Sequence, residues 1–247
     1  MIVTTVVRLL RRRTLLGLVA GTVFLMAAGS AQAAPVLIEN FDNIGTLAGS
    51  GWTLTNNSSG LASTSWFQGN DSVFTAQAGA SDAYIAANFL NAGFGGDISN
   101  WLISPILTLD NGETIAFYTR TDAGGASFND HLEVRLSTNG GSSNVGATAA
   151  SVGDFTTLLL TVNPSLNSSY PEQWTLFTAT ISGLGAPASG RFAFRYNVAD
   201  TSVNADYIGI DTVSVTAAPV PEPATLTMLG IGLAGLRLRR RRAARRM

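Results

Sequence analysis

The feature that most constrains this chain is a period of two. In Arg191-Phe192-Ala193-Phe194-Arg195-Tyr196 three aromatic rings fall on one side and both arginines on the other. A pleated strand produces that pattern and a helix of 3.6 residues per turn does not. The same alternation runs through Thr114–Arg120 and through His131–Ser137, where Leu132, Val134 and Leu136 share a face. Further apolar runs of strand length are Val36–Phe41, Ala83–Phe89, Trp101–Ile103, Thr156–Val162, Trp174–Ile181, Tyr207–Ile210 and Val213–Val215. Polar clusters such as Asn139-Gly140-Gly141-Ser142-Ser143-Asn144 separate them as turns. The expectation is an all-β protein, a jelly-roll-like β-sandwich built by one domain at residues 34–218.

Charge divides the chain into three parts. The net charge of −1 over 247 residues hides four arginines and no acid in Met1–Ala33, and seven arginines with one glutamate in Pro219–Met247. Between them four arginines face fifteen carboxylates, so the body carries −11. Such a body lacks the basic face that nucleic acid requires. The chain has no cysteine, which excludes a disulfide framework, a thiol nucleophile and a thiolate metal site. It has no lysine either, which excludes a Schiff base, a phosphate-loop lysine and a lysine isopeptide crosslink.

Both basic ends read as addresses. Arg8, Arg11, Arg12 and Arg13 precede the apolar run Leu15–Ala28, and Ala31-Gln32-Ala33 follows as a small-x-small cleavage site. This is the order of a secretory signal peptide, residues 1–33, cut by signal peptidase after Ala33. At the other end Val220-Pro221-Glu222-Pro223 forms a stiff, donor-poor extended strip, followed by the apolar stretch Ala224–Leu236 and an arginine cluster from Arg237 to Arg246. As a helix that stretch reaches only about 20 Å against roughly 30 Å of hydrocarbon, a short transmembrane helix that needs snorkelling arginines and local thinning. Both arginine groups belong on the cytoplasmic side, which places the acidic body across the membrane.

The three parts of residues 219–247 resemble the PEP-CTERM sorting signal of Gram-negative bacteria. The resemblance implies processing by exosortase at the Val220, Pro221, Glu222, Pro223 strip, transient anchoring in the inner membrane, and a destination at the cell surface or in an exopolysaccharide matrix. A second resemblance rests on Asn100–Leu109, Ile115–Tyr118, Val134–Gly141, Trp174, Phe192–Tyr196 and Tyr207–Val213. These segments look like the choice-of-anchor J and cleaved-adhesin group, related to jelly-roll MAM and carbohydrate-binding domains. By that resemblance a structural calcium ties the first strand to the last, with Glu39, Asp42 and Asp211 as its candidate ligands; the final strand has Asp211-Thr212 where the group often carries two acids.

Catalysis has little to draw on. His131 is the one histidine, no Gly-x-Ser-x-Gly elbow occurs, and its place beside Asp130 and before Leu132 reads as a solvated strand histidine sharing a face with Glu133 and Arg135. Glycoside hydrolysis needs only two spaced carboxylates, so fifteen acids leave a secreted glycan-active enzyme as the competing class, although no run of alternating acids marks a catalytic strand. For sugar binding the most loop-like aromatic stretch is Trp66-Phe67-Gln68-Gly69-Asn70-Asp71, with Trp66, Gln68, Asn70 and Asp71 as candidate contacts. The expectation is therefore an exported, non-catalytic protein of adhesion or exopolysaccharide association, the third reading being a structural matrix protein with no ligand.

Overall fold

The computed structural model describes residues 35–60, 62–124, 128–218 and 232–233. The signal peptide with Ala31 and Ala33, the Val220, Pro221, Glu222, Pro223 strip and the arginine cluster lie outside the described residues. Among the described residues no helix is long and apolar enough to cross a membrane.

Among the described residues twelve strands form two antiparallel sheets. In chain order they are β1 (Pro35–Glu39), β2 (Thr53–Asn56), β3 (Phe67–Gln68), β4 (Ile85–Asn88), β5 (Ile98–Ile103), β6 (Leu107–Leu109), β7 (Thr114–Thr121), β8 (Leu132–Ser137), β9 (Thr157–Val162), β10 (Thr175–Thr180), β11 (Ala188–Val198) and β12 (Tyr207–Thr216). One sheet has the order β10-β7-β12-β4-β3 with β1 also on β12; the other has the order β2-β5-β11-β8-β9 with β6 also on β11. The two pack face to face as a jelly-roll-like sandwich.

Strand parity decides what fills the middle. Phe192, Phe194 and Tyr196 of β11 point inward with Leu132, Val134 and Leu136 of β8, as their alternation requires. They meet Ile208, Ile210, Val213 and Val215 of β12 and Phe117 of β7. The rings of Phe117 and Phe194 meet edge to face across the sheets, centroids 4.8 Å apart.

The longest strands each change partner midway. Ile208 and its neighbours in Tyr207–Ile210 pair with β4, whereas Val213–Thr216 pairs with β1. At the handover one extra residue is accommodated between Asp211 and Ser214 against β7, and Thr212 takes the left-handed φ of 50°. β11 likewise pairs with β6 through Ala188–Gly190 and with β5 through Ala193–Val198. The first strand ends earlier than its apolar run suggests, because Phe41 also turns left-handed, at φ 53°. There its amide donates to Glu39 Oε1 at 2.9 Å and its ring drops into the core.

The outer faces are not bare. The segment between β3 and β4 folds back over the first sheet, packing Phe74 on Tyr84 and Tyr207, with Arg120 4.2 Å above the Phe74 ring. Gly209 of β12 is required here, since a Cβ would sit 2.8 Å from Trp174 and 2.9 Å from Phe74. The segment between β8 and β9 does the same for the second sheet, placing Val145 and Phe155 on Trp101, Ile103 and Ala193.

Candidate functional site

The outer side of β11 carries Ala193, Arg195 and Asn197, and the outer side of β5 carries Ser99, Trp101 and Ile103. The sequence reading leaves this face solvated; the structure corrects it. Arg195 is only 4 % exposed and its guanidinium is spent on the fold. Nε donates to Ser99 Oγ at 3.0 Å, one terminal nitrogen to Glu133 Oε2 at 3.1 Å, and the other to the carbonyl of Ala149 in the covering segment. The group also lies 5.1 Å from the Trp101 ring. Glu133 is buried too and accepts from Arg135 Nε at 2.6 Å. Burial alone would raise the Glu133 carboxyl, but Arg135 and Arg195 together hold it below its usual range, so it is ionised and paired.

Beside Ala149 and Ala150 of the covering segment a cleft of about 410 Å³ opens, lined also by Asp97, His131, Pro164, Leu166, Arg195, Asn197 and Ala199. His131 is half-buried rather than solvated, because β8 begins one residue later and the ring is held against β11. Its Nδ1 lies 2.7 Å from the carbonyl oxygen of Asn197. A carbonyl only accepts, so Nδ1 carries the proton and Nε2 is left as an acceptor in the neutral ring. Asp97 takes one hydrogen bond at Oδ1, 3.1 Å from the Asp200 amide. The cleft thus offers an imidazole acceptor, one carboxylate and the Asn197 amide over a floor of small and apolar side chains.

The other expected sites are placed differently. Trp66, just before β3, is 4 % exposed and packed in the main core. Gln68 is a fold clamp: its amide nitrogen donates to the carbonyls of Phe41 at 2.9 Å and Asp82 at 2.7 Å, while its oxygen accepts from the Ile44 amide at 3.0 Å. The Asn70 amide is tied to the hydroxyls of Tyr84 and Tyr207, and its side chain accepts from Ser72. Asp71 is exposed and accepts from Ser81 Oγ at 2.8 Å. Of the other large aromatics, Trp52 and Trp101 are also buried, whereas Phe94 is 92 % exposed.

The proposed calcium ligands occupy one end of the first sheet without forming a cage. Asp211 Oδ2 accepts the amides of Gln77 and Ala78 at 2.8 and 3.1 Å, and Oδ1 accepts the Thr212 amide at 2.6 Å. Glu39 is turned onto Phe41. Only Asp42 approaches the same turn, beside Gly79. Among the described residues no three acid or imidazole groups come together for a metal. As they stand the three do not fit a calcium ion, and Asp211 performs by hydrogen bonding the fastening that an ion would supply.

Residues 219–242 match the PEP-CTERM protein-sorting motif. The chain carries a PEP-CTERM sorting signal. That motif marks an exported surface protein, and the apolar stretch Ala224–Leu236 and the first five arginines of the cluster, Arg237 to Arg242, fall within it. The sandwich is similar to the K1 cleaved adhesin domain of Lys-gingipain from Porphyromonas gingivalis W83, with 23% identity, 73% of this chain and 97% of that chain covered, and a TM-score of 0.47. For the K2 cleaved adhesin domain of Lys-gingipain the values are 20%, 73%, 99% and 0.48. For the CBM22-1 xylan-binding domain from Paenibacillus barcinonensis they are 13%, 78%, 100% and 0.40. No curated protein matches the chain.

Two outcomes follow from the buried acids. Replacing Asp211 by Ala strands three amides and lowers stability by about 3 kcal/mol, while EDTA leaves the melting temperature of the wild type unchanged; a fall on chelation would put a calcium back at this end of the sheet. Burial pushes the carboxyls of Asp130 and Asp211 up to about 6. The folded state therefore holds protons that the unfolded chain releases above pH 4, so this contribution is complete at low pH and lost as pH rises through 6. Thermal unfolding should show a melting temperature that declines from pH 4.5 to pH 7, with a smaller decline in Asp211→Asn.

Proposed function

We propose that this is a non-catalytic surface component that associates with polysaccharide, and that the cleft lined by Asp97, His131 and Asn197 receives the sugar chain. One observation carries the reading: the cleft has volume for one or two sugar rings and sets an imidazole, the Asn197 amide and Arg195 beside a single carboxylate, Asp97. Hydroxyl-rich ligands need such mixed, fixed partners. Glycoside hydrolysis needs a second carboxylate across the bond, and the lining of this cleft supplies none. His131 therefore acts as a hydrogen-bond acceptor fixed by Asn197, with no serine or second acid beside it to drive.

Delivery follows from the two ends of the chain. Signal peptidase removes residues 1–33, the apolar stretch after Pro223 holds the protein transiently in the inner membrane, and exosortase cuts at or near Pro221-Glu222-Pro223. What reaches the outside is the acidic sandwich, and its net charge of −11 keeps it soluble.

Affinity electrophoresis in gels containing the producing cell's exopolysaccharide checks the cleft. The exported protein is retarded, and His131→Ala or Asn197→Ala weakens retardation about tenfold with an unchanged melting temperature; release of reducing ends would instead indicate the glycan-active enzyme. Intact-mass analysis of released protein checks the sorting route. The expected species begins at Ala34 and lacks Arg237–Met247, and a retained tail on released protein overturns it.

A further inference from the structure

The edges of the two sheets are treated unequally. The β3 edge is two residues long, and the β9 edge is broken by an extra residue at Leu159, since Val134 pairs with Leu160 and Arg135 with Leu158. Shortness and a bulge are both devices that keep a sheet from extending into another molecule. β10 has neither. Its six residues pair in unbroken register with β7, from Thr175 on Thr119 to Thr180 on Thr114, and among the described residues they pair with no other strand. It contains no proline and no charge, and Leu176 is 53 % exposed on its outer side.

The charge pattern isolates this edge. From Gln173 to Gly190 the chain has no acid, arginine or histidine, on a body of net −11. β10 also lies beside β9 of the other sheet, within a stretch from Phe155 to Gly190 whose single charge is Glu172. Two such bodies repel wherever their acidic surfaces meet, and this neutral flank is where they can approach.

We propose that β10 is a self-association edge, pairing antiparallel with β10 of a second copy to continue the six-stranded sheet. Continuation requires inward residues to stay inward, which restricts the two-fold axis to pass beside a residue rather than between two. Centred on Thr178, the pairing sets Phe177 opposite Ala179 on the core side, a large side chain against a small one, twice. On the outer side it sets Thr178 on Thr178 and Leu176 on Thr180. Centring on Phe177 would instead oppose two rings that already stack on Phe117 in each copy.

The absence of native cysteine makes the register directly testable in the protein purified from cells expressing the full chain. Residues directly opposite in an antiparallel pair have Cα atoms about 4.5–5.5 Å apart, within disulfide range. Thr178→Cys is expected to form a covalent dimer on mild oxidation, whereas Leu158→Cys on the bulged edge stays monomeric. Sedimentation of the unmodified protein is expected to show a dimer that strengthens from about 50 mM to about 500 mM NaCl as the acidic bodies are screened, and that Thr178→Lys converts to monomer without loss of circular dichroism. A protein that stays monomeric at every loading, equal crosslinking of the two cysteine variants, or a dimer indifferent to Thr178→Lys each overturns the proposal.

Discussion

The buried pair of Arg195 and Glu133 is the interaction on which the working face depends. A guanidinium placed under a covering segment is costly to desolvate, and removing either partner would leave an uncompensated charge in the interior. Here every arm of Arg195 is engaged, by Ser99, Glu133 and Ala149. The bond to Ala149 pins the middle of the covering segment, and Ala149 and Ala150 line one wall of the cleft. The buried charge thus ties that wall to the central strand beneath it.

The same solution recurs on the other sheet with the signs exchanged. Asp211, also fully buried, sits at the bulge where β12 passes from one partner to the next, and its oxygens fasten the Gln77–Ala78 turn. In each case a charged residue of the central strand holds a polar loop across the outer face, and an aromatic cluster fills the space between. The β10 edge, uncharged and with no second partner strand among the described residues, stands out as a surface for a second copy.

Much of the inner architecture was legible in the sequence. Parity alone puts Phe192, Phe194 and Tyr196 on one face, because the pleat is a local property of the backbone, and that face is the core. Trp66 was not legible in this way, since a tryptophan followed by Gln68, Asn70 and Asp71 looks like a loop until Gln68 is seen clamping Phe41 and Asp82. His131 is read as solvated on the face it shares with Glu133 and Arg135, and that face is covered. What covers a face is set by a polar loop distant in sequence, and polarity near a charge reads as solvent. The cleft was illegible for the same reason: parity foretells His131 and Asn197 on the outer side, but not Ala149 or Leu166 beside them. Only the unusual density of charges on strands destined for the interior, Glu133, Arg135 and Arg195, hinted that this face was built.

Hydrogen exchange of the exported protein with and without the producing cell's exopolysaccharide tests the central claim most directly. The account predicts slowed exchange confined to the amides around Ala149–Ala150 and Asn197–Ala199, the segments that wall the cleft. Unchanged exchange there, or protection confined to another face, would contradict it.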